Sequence, residues 1–166
     1  MGSELKAGIE FMWHPFPGFS GVVLGVSILV VTGLLAYFTK KKEIGAYNLD
    51  PKGKAGTFEP ILGRYLRAAE FIIGLATGSI VLLVGSSALH GNGGHLPWFY
   101  ASPLLLLGLC VLYGVFFMVW LIYGYEMYQH DNVHTRFRYA LSETLGFSAL
   151  LCFASGYVWL IIAVTR

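Results

Sequence analysis

The stretch FSGVVLGVSILVVTGLLAYFT, residues 19–39, contains no charged side chain, and three lysines, residues 40–42, follow it directly. A helix needs about 20 predominantly apolar residues to cross roughly 30 Å of hydrocarbon. Three further apolar runs have comparable lengths: residues 66–89, 101–124 and 144–165. Only 12% of the chain is charged, against roughly 25% in soluble domains. We therefore predict an all-α polytopic membrane protein, with a four-transmembrane-helix bundle as its single domain.

The basic residues are distributed unevenly around these spans. Nine of the eleven Lys and Arg residues lie in or beside the connections 40–65 and 125–143, and only Lys6 and Arg166 lie on the other side. Because basic loops stay in the cytoplasm, these two connections are predicted to be cytoplasmic. Both termini and the connection 90–100 are then on the outer side. This orientation predicts a bacterial inner (cytoplasmic) membrane as the location.

Glycines recur at helical spacing in two of the spans. Gly74 and Gly78 are four residues apart, Gly85 follows one heptad later, and Gly21 and Gly25 repeat the spacing of four. Small residues let membrane helices approach closely. The pattern predicts helix packing within the bundle, and a face for a dimer or a partner subunit is the alternative.

The middle of each span lacks ionisable residues. Acidic residues near the span ends are therefore the candidates for a proton or quinone site. Glu70 lies three residues after Arg67, a spacing that predicts a local ion pair on one helix face. The sharper hypothesis is a proton or quinone site at Glu70, with Glu143 at a similar depth. Two neighbouring carboxyl groups would make one of them titrate high.

All five histidines lie at the two predicted membrane surfaces. His14, His90 and His95 belong to the outer side, and His130 and His134 to the inner side. Imidazole is a ligand for haem iron and for copper. The outer three histidines are therefore the candidate cofactor ligands, for haem, a chlorophyll-type pigment or copper. Interfacial histidines that bind no cofactor are the simpler alternative.

Two cysteines, Cys110 and Cys152, fall inside different spans. Their predicted depths differ by about 6 Å at 1.5 Å per residue, so a disulfide would require the helices to touch and shift. Reduced packing cysteines are expected. The chain has no C-x-x-C motif, which excludes the usual membrane thiol oxidoreductase.

These features indicate a function in assembly rather than catalysis. We expect a non-catalytic integral membrane subunit of a respiratory or photosynthetic electron-transfer complex, in contact with pigment, haem or lipid. One alternative is a homo-oligomeric channel or transporter whose path is lined by hydroxyl groups of the second span: Thr77, Ser79, Ser86 and Ser87. The other is a haem- or quinone-binding membrane anchor. The expected partners are the lipid bilayer and other membrane subunits or a second copy, and nucleic acid is not among them.

Overall fold

The computed structural model describes residues 19–39, 58–86, 98–131 and 136–165. Within these ranges every regular element is helical: α1 (Phe19–Thr39), α2 (Phe58–Gly85), a 3-10 turn (Trp98–Tyr100), α3 (Ala101–Asp131) and α4 (Arg136–Val164). Four of these helices are long and apolar enough to cross a membrane. The predicted helical class and number of spans are confirmed at this level, whereas the orientation stays a prediction.

Three helices extend beyond the predicted spans, all at the ends that meet the basic connections. α2 begins at Phe58 rather than at residue 66, so residues 58–65, which the sequence assigns to the connection 40–65, are helical. Pro60 lies in its first turn, where a proline is tolerated because the missing N–H has no helical partner. α3 continues to Asp131 and α4 begins at Arg136. The 31 residues of α3 measure about 46 Å at 1.5 Å per residue, which exceeds the thickness of the hydrocarbon.

The helices pack unequally. α3 and α4 form the central pair, α1 packs against both, and α2 packs mainly against α3. The buried core cluster draws on α2, α3 and α4: Ala76, Leu106, Leu107, Cys110, Tyr113, Ala149 and Cys152. Ile28 and Leu29 of α1 pack against this cluster from one side. α1 and α2 are therefore less buried than the central pair, and α2 leaves much of its surface outside the bundle.

Side-chain hydrogen bonds join the helices at several depths. The hydroxyls of Ser20 and Ser102 link α1 to α3 at 2.8 Å, and those of Thr32 and Ser148 link α1 to α4 at 2.7 Å. Near the other end of the bundle, Trp120 Nε1 donates to the carbonyl oxygen of Arg138 at 3.2 Å. Hydrogen bonds between membrane helices contribute about 0.6 kcal/mol each on average. These bonds help to fix the position of each helix along its neighbour.

Candidate functional site

The glycines of α2 lie on an open surface. Among the described residues, no atom beyond the local helix backbone comes within 4 Å of where a Cβ would stand at Gly74, Gly78 or Gly85. The described helices therefore do not pack against one another through this stripe. A face for another protein, the alternative that the spacing allows, stays a prediction.

The glycines of α1 have the opposite surroundings. A Cβ on Gly21 would lie 2.6 Å from the backbone carbonyl oxygen of Ser102, and one on Gly25 would meet Leu109 Cδ1. The phenolic hydroxyl of Tyr113 also donates to the carbonyl oxygen of Gly25 at 3.4 Å. At these two glycines α1 and α3 therefore lie close together.

The glycine that brings α2 close to α3 belongs to α3. A Cβ on Gly114 would lie 2.9 Å from Cγ1 of Ile73, whose side chain enters the space above the glycine. Gly114 has no glycine partner at a spacing of four, so its sequence offers no packing signal. Sequence reasoning missed this contact for that reason.

Two charges lie on the same side of α2 as the open glycines. Arg67 and Glu70 are both exposed, and both fall within the candidate span Leu62–Gly85. Positions 67, 70, 74 and 78 follow one another at helical intervals of three and four, so they share a face. Across the described residues, no ion pair joins Arg67 to Glu70 or either of them to another side chain. We call residues 67, 70, 74, 78 and 85 the open α2 face.

The second candidate acid, Glu143, has different surroundings. It lies half-buried on α4 with its Oε2 atom enclosed by protein. The next residue, Thr144, is buried and donates its hydroxyl to the carbonyl oxygen of Ala140 at 2.7 Å. Glu70 faces outward, so the two carboxyl groups do not share one environment. A proton or quinone site that uses both stays a prediction.

The histidine ligands proposed from sequence lie outside the described residues. This holds for His14, His90 and His95 and also for His134, while His130 lies in α3 with its side chain undescribed. In the described part of the chain, no group of three or more His, Cys, Asp or Glu residues could hold a metal ion. Binding of haem, pigment or copper at the outer histidines therefore stays a prediction.

The cysteines are free and buried, as expected of packing cysteines. Cys110 and Cys152 are both fully buried and belong to the same core cluster. The cluster consists of aliphatic, alanine, cysteine and tyrosine side chains, so its described members place neither a carboxyl group nor an imidazole at the centre of the bundle.

The hydroxyl groups proposed to line a path point in different directions. Thr77 is exposed, whereas Ser79 is half-buried and hydrogen-bonded to the hydroxyl of Tyr157. Tyr157 also approaches the carbonyl oxygen of Leu75, at 3.3 Å. Ser86 is half-buried at the end of α2, and Ser87 lies outside the described residues. Within one chain, Thr77 and Ser79 do not line a common path.

Comparison with known proteins found no match among family models, curated proteins or solved structures. The open α2 face is the described feature that distinguishes this chain from a self-contained bundle. It combines glycines that have no described neighbour with two exposed charges inside a candidate span.

Proposed function

We propose that this chain is a non-catalytic integral membrane subunit that packs against a partner protein within the bilayer. The observation that carries the proposal is the open α2 face. These glycines contact no other helix among the described residues, and they lie on a helix long and apolar enough to cross a membrane. Such a surface suits the close approach of another helix.

The energetics of the face favour a protein partner. Glycine lowers helix stability by about 1 kcal/mol relative to alanine, and the packing of α2 against the described helices gains nothing from Gly74, Gly78 or Gly85. An exposed Glu70 within a candidate span is costly because a charge in lipid needs a partner or water. A neighbouring protein would offset both costs.

The side chains in the described interior of the bundle also support a non-catalytic, packing function. The helices join through buried leucines, alanines and cysteines and through hydroxyl pairs such as Thr32 with Ser148. Side chains of these types fill space and fix helix register.

The narrower form of the proposal places the partner in an electron-transfer complex. Its support is the aromatic content of 16%, with a cluster near the end of α3 in which the rings of Trp120 and Tyr123 lie 6.0 Å apart. Aromatic side chains of this kind suit contacts with neighbouring helices, headgroups or pigments.

Purification of the tagged chain in mild detergent tests the proposal. We expect a complex of fixed stoichiometry that Gly78→Leu disrupts and Gly108→Leu leaves intact. Gly108 is a matched control because it is exposed on α3 and has no described atom within 4 Å of its Cβ position. A wild-type chain that purifies as a monomer would contradict the proposal, and so would a complex that Gly78→Leu leaves intact.

Visible absorption of the same complex tests its narrower form. Haem, flavin or chlorophyll absorption carried by the partner would support an electron-transfer complex, and a colourless complex would contradict it. A haem spectrum carried by this chain alone would favour the membrane anchor instead.

A further inference from the structure

We infer that the partner on the open α2 face is a second copy of this chain, with the two α2 helices parallel about a two-fold axis along the membrane normal. The inference rests on the proposed function and names its partner. It follows from the charges on the face, while the glycines determine how closely the helices can approach.

The charges of the face are self-complementary. Arg67 and Glu70 are exposed on one side of α2 and differ in depth by about 4.5 Å at 1.5 Å per residue. Copies of one chain insert with the same orientation, so a two-fold axis along the normal keeps equivalent residues at equal depth. The guanidinium of Arg67 in each copy then lies within side-chain reach of the other copy's Glu70 carboxylate. Two such pairs form, as a symmetric interface requires.

The surface next to these charges has the shape for a parallel helix pair. Gly74 and Gly78 continue the face by one and two turns, and nothing described occupies the space above them. Large exposed side chains flank them, with Phe71 at 67% and Leu82 at 74% exposure. Glycines between such ridges let two backbones approach and let the flanking side chains pack against the opposite helix.

Charge favours a second copy over an unrelated helix. An unrelated partner would have to present a base near Glu70 and an acid near Arg67 at the same edge of the membrane. A second copy presents both by symmetry.

Charge exchange between two differently tagged copies gives the decisive test. Arg67→Glu gives a copy with two acids on the face, and Glu70→Arg gives a copy with two bases. We expect each variant alone to lose self-association by about tenfold or more, because like charges then face one another. When both variants are co-expressed, the acidic copy should pair with the basic copy at the wild-type level.

This rescue separates pairing between copies from pairing within one helix. An ion pair confined to one chain is lost in both variants, and mixing them cannot restore it. Copurification of the two tags from the mixture, with loss of copurification for each variant alone, supports the inference. Equal copurification in all samples, or no rescue in the mixture, overturns it.

The glycine contact is tested on the same tagged pair. Gly78→Leu should reduce copurification of the two tags, whereas Gly108→Leu should not. A wild-type chain that binds no second copy but holds a different protein at fixed stoichiometry overturns the second-copy inference and leaves the proposed function standing. A chain that binds neither overturns both.

Discussion

At the residue scale, Gly21 shows how one missing Cβ determines the approach of two helices. The nearest atom to the position of that Cβ is the Ser102 carbonyl oxygen, at 2.6 Å. A backbone atom cannot rotate away as a side chain can, so α1 or α3 must move. We expect Gly21→Ala to lower the free energy of unfolding by about 1–3 kcal/mol, the range of overpacking in cores.

Thermal unfolding in detergent measures this effect, and Gly108→Ala is its control. No described atom lies within 4 Å of the Gly108 Cβ position, so that substitution should be neutral or slightly stabilising, since alanine favours a helix. Equal midpoints for the two variants would contradict the close contact of α1 with α3.

The hydroxyl pair of Thr32 and Ser148 allows a second residue-scale prediction. Thr32 also contacts the carbonyl oxygen of Ile28 at 2.8 Å, so removing Ser148 leaves the threonine hydroxyl with a backbone partner. A double-mutant cycle with Thr32→Val and Ser148→Ala should therefore give a small coupling energy, about 0.6 kcal/mol. A coupling energy well above about 1.7 kcal/mol would mean that the pair belongs to a larger polar network.

At the element scale, the position of α2 depends on the insertion of Ile73 against Gly114. A Cβ on Gly114 would lie 2.9 Å from Cγ1 and 3.0 Å from Cδ1 of this isoleucine. We expect Gly114→Ala to destabilise the contact between α2 and α3. Shortening the opposing side chain with Ile73→Val, which removes Cδ1, should recover part of the loss in the double variant.

The measurement is unfolding of the single and double variants in the same detergent. Because the two positions touch, their effects should not add, and the double variant should be more stable than the sum of the single changes predicts. Strict additivity would mean that Ile73 does not fill the space above Gly114.

The helices also show which parts of the fold can be predicted from the sequence. α1 is helical throughout its predicted span, residues 19–39, because the apolar run is uninterrupted. The apolar run does not predict the start of α2, because Pro60 and Gly63 resemble helix breaks, although a proline in the first turn leaves no hydrogen bond unmade. The direction that Gly74 and Gly78 face could not be predicted, since a spacing of four indicates close approach without naming the neighbour.

At the scale of the whole molecule, the described helices enclose a small apolar core and expose large apolar side chains on every span. An outer surface of this kind suits lipid and neighbouring helices. The part of the candidate site that sequence could predict is the pair of charges, Arg67 and Glu70, in the N-terminal half of α2. The sequence does not show whether the charged face of α2 packs inside the bundle or lies on its surface. That depends on which face of α2 packs against α3, and only the three-dimensional structure shows it.

The orientation of the chain is the prediction that belongs to this scale. The connection 40–65 is rich in Lys and Arg, whereas the connection 90–100 has neither. Because positive loops resist translocation, a single cysteine at Lys54 should be protected from an impermeant thiol reagent in intact cells, and one at Asn92 should react. The background is Cys110→Ala with Cys152→Ala, and permeabilised cells provide the control in which both positions react. Labelling of Lys54→Cys with protection of Asn92→Cys in intact cells would invert the topology and place the charged end of α2 on the outer side.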